Sequence, residues 1–290
     1  MKKAFIYLHI AIFLAGFTGI LGLLIKLNEG LLVWYRLLIT AVTMWILFGI
    51  TKKIQRIAFK DTGKLFGVGF LAALHWVTFF GSIKYANASV ALVCFSSVGF
   101  FTALLEPVLY KTNIKLIDLL LGLLVIAGIS IIFHFDTRYK TGILLGVISA
   151  VLLAFVMIII RQFVQRINAE TILTWQMTGG VITLSVFMPF YMNLFPSQYV
   201  FPDLTDWLWL LALSWLCSVL AFQLSVAALK NLSAFTVNLS YNLEPVYGIF
   251  LAFVFFNENK ELGSSFYIGL GLILFSLILQ MWRIQQKRTV

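Results

Sequence analysis

Ten apolar runs follow one another along this chain, each long enough to cross a bilayer at about 20 residues per span. They cover roughly 4–27, 30–51, 64–85, 88–111, 114–135, 141–163, 170–195, 205–229, 232–256 and 264–283. In hydrocarbon each backbone polar group must be satisfied within the protein, so runs of this kind fold as helices. Most joints are short, which sets neighbouring helices antiparallel. The expected fold class is an all-α membrane protein of ten transmembrane helices. Composition agrees: 11% of the residues are charged and mean hydropathy is +1.00, where soluble domains carry about 25% charge. The first run, Ala4 to about Leu27, is too long for the apolar part of a cleavable signal.

The formal net charge of +10 does not point to nucleic acid, because the basic residues stand between apolar runs and form no stripe on a soluble face. With the N-terminus inside, 15 of the 21 Lys and Arg fall on inner segments and 5 on outer joints, with Arg36 inside the second span. Both termini are therefore expected in the cytoplasm. Cys94 and Cys217 each lie inside a span, so neither a disulfide framework nor a metal site is expected, and no cofactor.

The chain also repeats itself. Glu29 with Trp34 recurs as Glu170 with Trp175, and Ile83-Lys84 recurs as Leu229-Lys230, with Asn113 matching Asn259. Each half then holds five spans, an odd number, so the second half enters the membrane from the opposite side. Such inverted-topology repeats place a substrate site at the midplane between halves. The expected division is 1–137 and 138–290, two five-helix repeats around a central cavity. The pairs Glu106-Pro107 and Glu244-Pro245 fall out of this register, which sets Pro245 against Gly99.

Within the ninth run, Glu244 is thirteenth of the 25 residues from Leu232 to Phe256. A carboxylate there is at its most expensive, and intramembrane carboxylates are functional by default. Pro245 leaves the Tyr241 carbonyl without its helical donor. A span with a broken backbone and a carboxylate faces protein or water, so Asn238, Tyr241, Asn242 and Glu244 are expected on one wall of a polar cavity. Glu244 would exchange a proton, or ionise against a substrate amine. The alternative is a structural acid bonded to Ser240 or Tyr241.

Other polar residues have two readings each. His75, Thr78 and Ser82 share a helical face beside Trp76, either as a hydrogen-bonding stripe on the cavity or as packing. Arg36 would hold a substrate carboxylate or pair with Glu29. Glu106, near the inner end of its span, would serve as a second acid or simply reach Lys111. His9 and His134 are expected at the interfaces, Tyr199, Trp207 and Trp209 in an aromatic belt, and Gly142 with Gly146 as a packing device.

The chain resembles the drug/metabolite transporter superfamily, in its ten-helix EamA-type branch. Trp34-Tyr35-Arg36, Ser82-Ile83-Lys84-Tyr85-Ala86, Phe101-Thr102-Ala103-Leu104-Leu105-Glu106-Pro107, Leu243-Glu244-Pro245 and Phe256-Asn257-Glu258 carry the resemblance. It implies a basket of helices around a central cavity, with the fifth span of each repeat as scaffold or dimer surface. It also implies a bacterial inner membrane and export of amino acids or similar small metabolites. One departure stands out: the first repeat has Lys111-Thr112 where the second has Asn257-Glu258. The alternatives are a proton-coupled antiporter for cationic or aromatic drugs and an intramembrane enzyme on lipid-linked substrates, although no catalytic motif is found. The expected partners are a small-molecule substrate and the lipid bilayer. Monomer and homodimer both stay open.

Overall fold

The computed structural model describes residues 2–111, 113, 116–135, 137–232 and 234–286. Its helices are α1 (Lys2–Leu24), α2 (Glu29–Ile50), α3 (Phe59–Tyr85), α4 (Ala88–Phe95), α5 (Val98–Tyr110) and α6 (Leu116–Phe135). They continue as α7 (Lys140–Phe163), α8 (Ala169–Leu194), α9 (Leu204–Ser214), a π turn (Trp215–Leu220) and α10 (Ala221–Leu229). The last are α11 (Ala234–Tyr241), α12 (Glu244–Phe256) and α13 (Ser264–Gln286). Among the described residues there is no strand, and eight stretches are long and apolar enough to cross a membrane, with α4–α5 and the run from α9 to α10 each counting as one. The helix α12 and the apolar part of α13, Ser264–Gln280, are shorter.

Local sequence explains the boundaries. Asn28, Asn87, Asn168 and Asp203 cap α2, α4, α8 and α9, each accepting a hydrogen bond from the backbone three residues on. The helix α3 starts five residues before the expected span, because Asp61 suits a first turn and is held by Arg166 at 2.5 and 2.8 Å. The ninth run is two helices rather than one. Pro245 sits in the first turn of α12, where its missing N–H costs nothing, and the chain breaks before it at Asn242-Leu243. The fourth run breaks likewise at Ser96-Ser97, whose hydroxyls donate to the carbonyls of Val93 and Cys94.

Glycines let the spans approach closely. A Cβ on Gly16 of α1 would meet the Gly248 nitrogen of α12 at 2.9 Å, and one on Gly179 of α8 would meet Phe66 Cα of α3 at 2.5 Å. At Gly146 of α7 the obstacles would be Cys94 Cβ at 2.7 Å and Ser82 Oγ at 2.8 Å. The helix pairings come in matched sets. The helix α3 packs on α7 and α8, and correspondingly α10 packs on α1 and α9 on α2. The helices α1 and α12 pair as α7 does with α4 and α5, and α6 lies along α13.

Candidate functional site

The two broken runs meet over the larger of two chambers. It has a volume of about 390 Å³ and lies between the start of α5 (Val98, Gly99) and the start of α12 (Glu244, Pro245), with Tyr241 and Asn242 on its rim. Helix N-termini carry partial positive charge from their unpaired N–H groups. Two of them thus face one cavity. The remaining wall is mostly apolar, with Phe95, Leu153, Met157 and Leu277 among its residues.

A second chamber of about 180 Å³ shares Phe95, Leu153 and Glu244 with the first. Besides Glu244 its polar groups come from α1, α2, α3 and α8: Thr18, Arg36, His75 and Gln176, with Trp76 beside them. Arg36 is only 5% exposed. Its Nε and Nη2 donate to Ser218 Oγ at 3.3 and 3.1 Å, and its Cζ lies 4.7 Å from the Trp76 ring centroid. Nη1 has no partner, and neither does Oε1 of Gln176, which is equally buried. Buried polar atoms without partners are rare and call for a reason. Of the nine such atoms among the described residues, these two belong to residues that line one chamber with Glu244, which is near enough to Arg36 for their charges to interact. Among the described residues the Glu244 carboxylate accepts no hydrogen bond. The arrangement offers a cation with a spare donor, a carboxylate with spare acceptors and an amide oxygen, all lining one chamber.

The residues singled out by sequence divide. Glu244, Arg36, His75 and Trp76 line the smaller chamber, and Tyr241, Asn242 and Glu244 line the larger. His75 Nδ1 lies 2.8 Å from Ser149 Oγ and 3.0 Å from its carbonyl oxygen, so α7 fixes the ring. Thr78 spends its hydroxyl on its own helix, donating to the carbonyls of Leu74 and His75. Ser82 is fully buried against Gly146, away from both chambers. Glu106 pairs with Arg161 of α7, not with Lys111, and Glu29 accepts from Tyr191 at 2.9 Å, not from Arg36. Tyr241 shares a 2.6 Å hydrogen bond with Ser225. The side chain of Asn238 lies outside the described residues. Gln176 and Ser96, which also line the chambers, were not singled out; the signal they offered was an amide and a serine pair inside apolar runs.

The model of the EamA-like transporter family matches the chain twice, over residues 2–134 and 140–282. Among solved structures, a crystal structure with 16% sequence identity covers 99% of this chain and is itself covered over 99%, with a TM-score of 0.65. At that identity the likeness is one of fold. No curated protein matches by sequence.

Proposed function

The chain belongs to the EamA-like transporter family, and on that premise we propose that it exports amino acids or similar small polar metabolites by alternating access. The observation that carries this reading is the smaller chamber, where the unpartnered Nη1 of Arg36 and the carboxylate of Glu244 share one buried space. A substrate with both a carboxylate and an ammonium group would satisfy the two at once. Its side chain would extend past Glu244 into the larger, apolar chamber. Glu244 would bind the amine directly or trade it for a proton.

The proposed architecture is ten spans in two inverted halves, 1–137 and 138–290, with both termini in the cytoplasm of a bacterial inner membrane. Three observations support it. The helices α5 and α12 stand at an offset of 146 residues at both ends (98 to 244, 110 to 256). The helix pairings exchange between halves, as a two-fold axis between them requires. And Lys111 and Asn257, at the same offset, both close their helices in the left-handed conformation, with φ of 53° and 54°.

Purified protein in liposomes preloaded with an amino-acid mixture tests the substrate class. Efflux that requires the protein is expected, together with a higher extracellular amino-acid level in overexpressing than in deleted cells. Absence of both would overturn the reading. The apolar wall of the larger chamber favours a second reading, a proton-coupled antiporter for aromatic or cationic drugs with Glu244 as its proton site. Drug uptake into inside-out vesicles driven by an imposed pH gradient would support it over the first.

A further inference from the structure

The two ends of the bundle are held together differently: ion pairs such as Arg166–Asp61 and Lys53–Glu170 cross one of them. At the end that carries the starts of α2, α4 and α9, assigned above to the outside, two polar contacts tie helices together. Lys84, at the end of α3, donates from Nζ to the carbonyl oxygens of Ile25 (3.3 Å) and Leu27, just past the end of α1. Glu258, directly after α12, accepts from the backbone of α4, from Ala88 N at 3.0 Å and Ser89 N at 2.8 Å. Its carboxylate is 3% exposed and takes up two of the N–H groups that a helix start leaves open. Behind it α4 and α12 pack tightly: a Cβ on Gly248 would stand 2.5 Å from Leu92 Cδ1.

The same register identifies the groups that correspond at the other end. Lys84 plus 146 residues is Lys230, at the end of α10. Among the described residues Lys230 has no hydrogen-bond or ion-pair partner. It stands at a cleft of about 210 Å³ beside Glu170 and Lys53. Both matching carboxylates are engaged, Glu29 by Tyr191 and Glu170 by Lys53 at 3.6 Å, so the difference lies in the lysines: Lys84 is held and Lys230 is not. The outer half-helix α4 packs on α12, whereas the inner half-helix α5 packs on α6 and α7. The helices α1 and α3 also pack on each other, beside the Lys84 contacts. In an inverted repeat the opposite state would exchange these roles, because the two halves swap conformations.

We propose that Lys84 and Glu258 are the outer gate latches of the transport cycle, that Lys230 is the inner counterpart of Lys84, engaging when the outer latches release, and that the chain rests open to the cytoplasm. This rests on the alternating-access reading above. Neither latch touches substrate; both set which side of the membrane the site faces. Both latches are charge-assisted, through the ammonium of Lys84 and the carboxylate of Glu258, and such hydrogen bonds are about twice as strong as neutral ones. A resting site open to the cytoplasm suits export, because substrate loads there.

The test uses the full chain with Cys94→Ala, Cys217→Ala and a reporter Ser96→Cys in the larger chamber, in right-side-out and inside-out vesicles. The reagent is a membrane-impermeant methanethiosulfonate. In the otherwise native chain, modification is expected to be at least about ten-fold faster from the cytoplasmic side. Glu258→Gln and Lys84→Met should each raise the outside rate about ten-fold, the factor carried by one lost charge-assisted hydrogen bond. Glu261→Gln, on the same joint, should leave it unchanged. Lys230→Met, at an exposed position where folding is not at stake, should slow amino-acid efflux several-fold while the outside rate stays native. Outside rates that do not move in Glu258→Gln or Lys84→Met would overturn the proposal. If those two variants do not elute as folded protein, unchanged efflux in Lys230→Met overturns it instead. Rates that respond in a chain that moves no substrate would sink the transport reading and leave the latches standing.

Discussion

Arg36 and Glu244 are costly residues whose lost hydration the described contacts replace only in part: Arg36 holds Ser218 and Trp76 but keeps one nitrogen idle. A buried guanidinium with an idle nitrogen and a carboxylate with no hydrogen-bond donor both lose hydration without full replacement. Glu244→Gln keeps the shape and removes the charge, so transport coupled to that charge should stop while expression and folding persist. Full activity of Glu244→Gln in liposomes across a range of pH would retire it as the functional acid. Arg36→Lys keeps the charge but loses the planar fork that holds Ser218 and leaves Nη1 to spare. The substrate concentration for half-maximal efflux should rise about ten-fold, as for one lost charge-assisted hydrogen bond. An unchanged value would make Arg36 a packing residue stacked on Trp76.

At the scale of elements, the pair α6–α13 and the outer joint make separate predictions. The two helices cross backbone to backbone: a Cβ on Gly269 would lie 2.5 Å from the Gly128 oxygen. Ser276 donates to the Leu121 carbonyl at 2.6 Å, and Arg283 pairs with Asp118. Gly269→Leu should overpack this crossing at a cost of about 1–3 kcal/mol. A thermal melt in detergent should show a lower Tm, while efflux per folded molecule stays at the native level. In the outer joint, the Lys26 ammonium, 2.7 Å away, holds the Asp203 carboxyl below the usual carboxylate range, and Asp203 holds Lys26 above its own. A depressed carboxylate contributes above its unfolded pKa and is lost as pH falls through its folded value, while a raised lysine is lost only as pH rises through its own. The clip therefore opens on the acid side and at strongly alkaline pH. Hydrogen exchange of residues 195–203 should speed up as pH drops below the carboxylate range, after correction for intrinsic rates, and Asp203→Asn should remove that dependence. Both groups are exposed, so the effect should shrink in high salt.

For the whole molecule, the charge division and the matched helix pairings make the same demand on topology. Ser197→Cys, in the joint after α8, should react with an impermeant thiol reagent in intact cells. Reaction only after lysis would reverse the orientation and undo the inverted halves together with the outer gate. Much of this frame was legible in the chain. The apolar runs reported membrane helices, Pro245 marked the break in the ninth run, and the offset between Lys84 and Lys230 set the register on which the proposed repeat rests. The matching break in the fourth span was not legible, since Ser96-Ser97 holds no proline and serine alone does not end a helix. Ser82 and Thr78 share a helical face with His75, yet the structure separates them. Spacing gives the face, but Gly146 decides how near α7 comes and buries Ser82 there.

By itself the sequence determined what must be inside a membrane and what must be in water, because hydration of charge and of the peptide bond allows few exceptions. It also placed a carboxylate midway along the ninth apolar run. Tertiary structure decided which polar groups are left without partners. Glu106 found Arg161, Glu29 found Tyr191 and Tyr241 found Ser225, all across distances in the chain that no local pattern records. Arg36 and Gln176 were left facing Glu244. Whether a buried polar atom is satisfied depends on every helix packed around it, so the candidate site became visible only once all of them were in place.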